Sequence, residues 1–337
     1  AGAHLHECVP HPATPPIRTT AMKWMTPTLV ALASALTTLA AAPAQAQEDA
    51  SCQKVRFADV GWSDIAATTG LASVVLKAMG YQPSVTVASV PITFAGIKSR
   101  QIDAFLGYWN PSMTPMMDPF VKAGQIQVFE RPNLTGAKYT LAVPEYLFDA
   151  GLKSFKDIAR FEKELGGRIL GIEPGNDGNA LIAGMIKQNQ HGLQKFKLVE
   201  SSEAGMLAEV QRAARAKKPV VFLGWEPHPM NVQVKMKYLE GGDEVFGPNY
   251  GEAKVYTAVP PGYEARCPNV ATFLRNLQFT TVMENEVMLD ILNKARPEKA
   301  ARTWLAKHPE VLGPWLKGVK TLKGEDAAPV VAKALGG

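Results

Sequence analysis

An internal repeat divides this chain into two similar stretches. Residues Phe105-Leu106-Gly107-Tyr108-Trp109-Asn110-Pro111 return as Phe222-Leu223-Gly224-Trp225-Glu226-Pro227, the same motif with one residue fewer. Before each copy, short apolar segments typical of strands alternate with stripes of apolar residues at helical spacing. Such alternation predicts βαβ units with parallel strands. We therefore expect two similar α/β lobes.

The elements of the two stretches follow the same pattern. In the first stretch the predicted strands cover 55–60, 84–88 and 102–106, and the predicted helices cover 71–79 and 92–99. In the second stretch the predicted strands cover 168–172, 196–199 and 220–223, and the predicted helices cover 180–190 and 206–214, with a glycine-rich loop over 173–179. Further helices are predicted over 270–279, 285–293 and 297–307.

A second, weaker sequence repeat marks the borders of the second lobe. Residues 139–144, Tyr-Thr-Leu-Ala-Val-Pro, resemble residues 256–260, Tyr-Thr-Ala-Val-Pro. We interpret them as a pair of hinge strands where the chain crosses between the lobes. The first lobe is then discontinuous, with residues 47–138 plus 255–337, and the second lobe covers 139–254.

Residues 1–46 have the pattern of an upstream extension and a secretory signal peptide. Met22-Lys23 precedes an apolar run over 29–42, and Ala44-Gln45-Ala46 forms a cleavage motif. This run is shorter than the roughly 20 residues that a membrane-spanning helix needs. Cleavage after Ala46 predicts an exported protein with a mature chain over 47–337.

Charge and motif content argue against several function classes. The 36 Lys and Arg residues nearly balance 31 Asp and Glu residues and form no basic block, so we expect no nucleic-acid partner. The mature sequence lacks the G-x-S-x-G and H-E-x-x-H motifs of hydrolases, and its histidines are scattered. We therefore expect no catalytic residues, no metal site and no cofactor.

Two cysteines remain after the predicted cleavage, because Cys8 lies in the removed segment. In an oxidising compartment, Cys52 and Cys267 are expected to form a disulfide. The alternative is two unpaired buried thiols.

Aromatic residues follow the predicted strand ends. Trp62 with Asp64, Trp109, the loop 175–178 and Trp225 all occupy positions where parallel α/β sheets bind ligands. Each tryptophan alone is more typical of a core or lobe-packing residue. Three of them in loops beside Gly and Pro shift the balance towards a ligand-binding role. Indole faces bind cations, and a quaternary ammonium has no N–H to donate. The pattern indicates an aromatic box for such a cation.

Five segments together resemble the periplasmic choline-binding proteins, within the glycine betaine/proline betaine/choline class of ABC-transporter substrate-binding proteins. They are Gly61-Trp62-Ser63-Asp64, residues 107–111, Lys138-Tyr139-Thr140, Gly175-Asn176-Asp177-Gly178 and residues 224–229. The resemblance spans nearly the whole mature chain. It implies a two-lobed periplasmic binding protein of the Venus flytrap type, a monomer that delivers choline to the permease and ATPase of an ABC transporter.

The resemblance also implies the roles of individual residues. A cage of Trp62, Trp109, Tyr139 and Trp225 would hold the trimethylammonium group, and Asp64 and Asn176 would hold the choline hydroxyl. Asp64 can instead cap a helix, and Asn176 can merely shape a turn. His228, between two prolines, is left out of the site as a structural residue. Glycine betaine, proline betaine, carnitine and acetylcholine remain alternative ligands of the same fold.

Overall fold

The structure, a computed structural model, describes residue 48 and residues 50–336. The predicted signal peptide and upstream extension lie outside these residues. Ten strands are present among them: β1 Lys54–Asp59, β2 Gln82–Val87, β3 Phe105–Asn110, β4 Gln127–Val128, β5 Leu134–Pro144, β6 Arg168–Leu170, β7 Lys197–Val199, β8 Phe222–Glu226, β9 Met236–Tyr238 and β10 Glu252–Val259.

Helices cover both sides of these strands. The longer ones are α1 Ser63–Ala78, α2 Val90–Lys98, α3 Thr114–Lys122, α6 Asp177–Lys187, α7 Glu203–Arg215, α12 Pro268–Asn276, α13 Thr281–Leu292, α14 Pro297–Lys307 and α16 Ala327–Leu335. The short ones are α4 Glu145–Asp149, α5 Glu162–Leu165, α8 Met230–Gln233, α9 Asp243–Phe246, α10 Pro248–Gly251, α11 Tyr263–Arg266 and α15 Leu312–Trp315. Four 3₁₀ turns span Ala50–Gln53, Phe155–Phe161, Gln190–Lys195 and Pro309–Val311.

The two repeated stretches fold with the same strand order. In the first lobe β1 lies between β2 and β3: it pairs in parallel with β2, and Phe57 bridges to Ala104 just before β3. In the second lobe β6 lies between β7 and β8, again in parallel. The predicted pair of similar α/β lobes is confirmed, because both apolar patterns form the same three-stranded parallel layer.

Strands β5 and β10 join the two lobes. They pair with each other in antiparallel fashion through their first halves, at Glu252–Lys138 and Ala253–Ala137. Their second halves pair outward, β5 with β8 and β10 with β3. The two hinge strands thus pair with each other only through residues 134–138 and 252–255. The predicted segments 139–144 and 256–260 do not pair with each other: the first pairs with β8 and β9, and the second with β3 and β4.

The C-terminal helices complete the first lobe around α1. Helices α13 and α14 pack along α1, in which 13 of its 16 residues are buried. Gly70 of α1 faces the backbone of Pro297, where a Cβ would approach the carbonyl oxygen to 3.0 Å. The predicted Cys52–Cys267 disulfide is confirmed and ties the start of the first lobe to the beginning of α12, 215 residues later.

Several predicted boundaries were wrong. The third strand of the first lobe runs over Phe105–Asn110 instead of 102–106, because pairing with the distant β10 extends it through the aromatic motif. Trp109 and Trp225 consequently lie in strands and not in loops. Helix α6 begins three residues early, at Asp177, because Asn176 caps it. None of the helices in the described part of the chain has the length and apolarity to cross a membrane.

Candidate functional site

A cavity of about 260 Å³ lies where the parallel strands of both lobes end and β5 passes between them. Seven residues line it: Trp62, Asp64, Trp109, Tyr139, Ile172, Asp177 and Trp225. All seven are buried, with the four aromatic residues only 4–6 % exposed.

The aromatic rings converge on Tyr139. Its ring centroid lies 6.0 Å from that of Trp109 and 6.4 Å from that of Trp225, the second pair edge to face. Phe246 supports Tyr139 from another side at 6.0 Å. Tyr139 lies directly opposite Trp225 in the antiparallel pairing of β5 and β8, which places both side chains on the same face of the sheet.

Two glycines make room for Tyr139. A Cβ at Gly178 would lie 2.1 Å from the Tyr139 hydroxyl oxygen, and a Cβ at Gly251 would lie 1.9 Å from its carbonyl oxygen. The ring and the backbone of Tyr139 cannot move aside easily. A larger residue at either glycine would therefore displace Tyr139. The tyrosine hydroxyl donates to Oδ1 of Asn176 at 2.9 Å.

Asn176 lies behind the cavity and not in its lining. Its Oδ1 accepts the backbone N–H of Asn179 at 3.0 Å, which caps α6, and also accepts the Tyr139 hydroxyl. Its Nδ2 donates to Oδ1 of Asp177 at 3.2 Å. The side chain therefore orients both Tyr139 and Asp177, which agrees with the local structural role considered for it from the sequence.

Asp64 occupies the first turn of α1, whose N-cap is Trp62. The suggestion that Asp64 itself caps the helix was wrong, because α1 begins one residue earlier at Ser63. The Oδ1 atom of Asp64 and the indole nitrogen of Trp109 are both buried without a well-formed hydrogen bond among the described residues, but Trp109 lies close enough to favour the ionised form of Asp64. Burial, and then the nearby Glu203, raise the pKa of Asp64 to about 8.

Two glutamates of the second lobe contact the first lobe at the start of α1. The indole N–H of Trp62 donates to Oε1 of Glu173 at 2.8 Å, and the backbone N–H of Ser63 donates to Oε2 of Glu203 at 2.9 Å. Burial raises the pKa of Glu173 to about 7. These contacts between lobes could not be read from a sequence, since each joins residues more than 100 positions apart.

His228 supports the contact between Glu203 and Ser63. Its Nδ1 accepts the backbone N–H of Met230 at 2.9 Å, so Nε2 carries the proton and faces Oε1 of Glu203 at 3.3 Å. The histidine is fully buried and packs with its ring 4.9 Å from Trp225. It does not line the cavity, in agreement with its omission from the predicted site.

The structure brings together five of the six ligand residues expected from the sequence and adds two others. Sequence reasoning missed Ile172 and Asp177. Asp177 could have been predicted from the repeat. The repeat that aligns Trp109 with Trp225 also aligns helix α1 of the first lobe with helix α6 of the second lobe. Asp64 and Asp177 both lie in the first turn of those helices.

Two parallel α/β lobes that enclose a small aromatic cavity, joined by two strands, define a solute-binding type of protein. Residues 53–307 match the family described as the substrate-binding domain of the ABC-type glycine betaine transport system, OpuAC. The chain belongs to this family.

Solved structures of similar proteins give the same assignment. An ABC-transporter choline-binding protein in complex with choline is 52% identical, with a TM-score of 0.83 over 85% of this chain and 99% of that chain. Lactococcal OpuAC with glycine betaine is 26% identical, with a TM-score of 0.71 over 78% and 98% of the two chains. An uncharacterized protein, ORF1, of Chromohalobacter salexigens is 53% identical over 130 residues, 39% of this chain and 83% of that protein.

Proposed function

We propose that this chain captures choline between its lobes and delivers it to the permease of an ABC importer. The observation that carries the proposal is the buried cavity that four aromatic residues and two carboxylates line together: Trp62, Trp109, Tyr139 and Trp225 with Asp64 and Asp177. Aromatic faces attract a quaternary ammonium by about 0.5–1 kcal/mol each when exposed and about 2 kcal/mol or more when desolvated. The 52% identity to a protein solved with choline supports the same ligand.

The hydroxyl of choline would be held at the polar side of this cage. Asp64 offers a buried Oδ1 without a partner among the described residues, which suits an O–H donor. Asn176 would assist through Nδ2, which donates to Asp177 and also lies within reach of Glu173. Together with the four aromatic residues, these two complete the ligand set.

Closure of the lobes would trap the ligand. The lobe limits that fit this motion are 47–138 plus 255–337 for the first lobe and 139–254 for the second, with β5 and β10 as hinges. The bonds from Trp62 to Glu173 and from Ser63 to Glu203 would form on closure, because each joins the two lobes. A protein of this kind works in the periplasm, with the transporter's permease and ATPase as partners, and binds its ligand without converting it.

The alternative ligands are glycine betaine and related osmoprotectants, since lactococcal OpuAC was solved with glycine betaine. Their trimethylammonium group would enter the same cage. The contacts of the rest of the molecule, its tail, would therefore determine which ligand binds more tightly. Above about pH 8, where Asp64 is ionised, it would repel the carboxylate of glycine betaine and accept the hydroxyl of choline.

Isothermal titration of the mature protein with choline and with glycine betaine tests the proposal. We expect choline to bind more tightly. Preference for glycine betaine would reassign the ligand within the family, and failure to bind either compound would overturn the proposed function. Small-angle scattering with and without choline tests closure, because a rigid cavity would leave the curve unchanged.

A further inference from the structure

Asp177 is a second carboxylate in the cavity, contributed by the other lobe. Only 2 % of the residue is exposed. Its Oδ1 accepts from Asn176, and the nearby Ser112 hydroxyl and the backbone N–H groups of Asp177 and Gly178 favour its ionised form, but its Oδ2 is buried without a well-formed hydrogen bond among the described residues. A buried acceptor left unpaired is costly, so a ligand that supplies positive charge or a donor is the natural partner.

The repeat makes Asp177 the counterpart of Asp64. Helix α1 follows β1, and α6 follows β6, the equivalent central strand of the second lobe. Asp64 and Asp177 lie in the first turns of these two helices. The positive end of each helix dipole favours a negative charge at this position. The two lobes therefore present equivalent carboxylates to one cavity.

No cation of the protein balances these two groups within the cavity. Its seven lining residues include neither Lys, Arg nor His. The titratable groups that act on Asp64, Asp177 and their surroundings are the acids Glu173, Glu203 and Glu284 and the phenol of Tyr139. Positive charge must therefore come from the ligand.

We propose that Asp177 determines specificity by supplying the negative charge that makes this site select an ammonium cation with an uncharged tail over zwitterions and neutral analogues. This inference rests on the proposed function, since it concerns the same cavity. Asp64 would then act on the tail hydroxyl, and Asp177 would act on the charge of the ligand as a whole.

The acidities of the two groups support this division. Burial raises the pKa of Asp177 to about 6 but that of Asp64 to about 8. At pH 7 the empty cavity thus holds an ionised Asp177 and a mostly protonated Asp64. The permanent charge of the site at neutral pH lies on Asp177.

The variant Asp177→Asn tests this, because it removes the charge, keeps the shape and keeps an acceptor for Asn176. Three ligands are titrated at pH 7: choline, glycine betaine and 3,3-dimethylbutan-1-ol, which has the shape of choline with carbon in place of nitrogen. We expect choline to bind about tenfold more weakly to the variant, the effect of one hydrogen bond or ion contact to a charged group. The neutral alcohol should bind equally well to both proteins, and glycine betaine should bind equally well or better.

Asp149→Asn serves as the matched control, because Asp149 is exposed and the variant has the same net charge. It should leave all three affinities unchanged. Asp177→Ser is the second variant, and thermal unfolding shows that each protein is folded. An equal loss for all three ligands would make Asp177 a structural residue and overturn the inference. If the unmodified protein binds no choline, the proposed function fails instead.

Discussion

The third strands of the two lobes, β3 and β8, are built from the same motif but differ by one residue. Tyr108 is the extra residue in β3, immediately before Trp109. In the second lobe Trp225 lies opposite Tyr139 of β5, whereas in the first lobe Trp109 lies opposite Val255 of β10. Because of this single inserted residue, the hinge strand places a tyrosine opposite Trp225 but a valine opposite Trp109.

The tyrosines of the two hinge strands show the consequence. Tyr256, which the sequence aligns with Tyr139, lies opposite Tyr108, and their rings are 6.0 Å apart. Since neighbouring residues of a strand point to opposite faces, this pair lies on the other side of the sheet from Trp109. The cage thus receives one hinge tyrosine instead of two, and the near-symmetry of the fold yields an asymmetric site.

The largest predicted difference between the lobes concerns the disulfide, which lies in the first lobe. Replacing Cys52 and Cys267 by alanine should lower the free energy of unfolding by about 5 kcal/mol in the chain-entropy account, because the bridge closes a loop of 215 residues. Chemical denaturation of the oxidised protein and of the double variant measures this. Equal midpoints would show that the long loop contributes nothing, and choline binding to the folded variant should be retained.

The next prediction compares the two equivalent tryptophans. Trp109→Ala and Trp225→Ala should each weaken choline and glycine betaine alike, by about 2 kcal/mol or more, since both rings are desolvated. This corresponds to about 30-fold in the dissociation constant. Trp304→Ala is the control, because Trp304 is also buried but stacks on His308 away from the cavity. A variant that affects only one ligand would show that its tryptophan contacts the tail.

Asp64→Asn probes the carboxylate of the first lobe. Measured above pH 8, where Asp64 is ionised, the variant should weaken choline by about 1.5 kcal/mol and leave glycine betaine unchanged or improve it. The loss should shrink at pH 6, because the protonated Asp64 already resembles Asn. Equal weakening of both ligands at every pH would give Asp64 a purely structural role.

The pH dependence of the unmodified protein has a definite sign. A bound cation favours the ionised carboxylates and lowers their pKa values, so binding releases protons and choline affinity should rise with pH. The rise, at most about tenfold per pH unit for each proton released, should cover the range below about pH 8. The contribution of Asp177 should end near pH 6 and that of Asp64 near pH 8, because above its own pKa each group is already ionised in the empty site. Titrations in buffers of different ionisation enthalpy measure the released protons. A flat profile over this range would mean that neither carboxylate senses the charge of the ligand.

The sequence was sufficient for the parts of the site that depend on local patterns. The repeat predicted both lobes, and tryptophans at the ends of predicted strands indicated residues that line the cavity. The register of β3 could not be predicted, because its pairing partner β10 lies more than 140 residues away. The contacts of Glu173 and Glu203 with the first lobe depend on how the lobes meet, which no local pattern encodes. Asp177, in contrast, could have been predicted, because the repeat makes it the counterpart of Asp64. It was missed because it lies in a glycine-rich segment of the sequence.

The smallest predicted effect separates the ring of Tyr139 from its hydroxyl. Tyr139→Phe keeps the aromatic face and removes the donor to Asn176, whose Oδ1 retains the backbone N–H of Asn179. The free energy of unfolding should fall by about 1 kcal/mol, the usual contribution of one hydrogen bond, and choline affinity should change by less than about threefold. Tyr256→Phe, at the aligned position of the other hinge strand, should leave choline affinity unaltered because that ring lies on the opposite face. Thermal unfolding and titration of both variants test the comparison. A loss of choline affinity in Tyr139→Phe as large as that in Trp109→Ala would mean that the hydroxyl network, through Asn176 and Asp177, positions the ligand more strongly than the aromatic ring does.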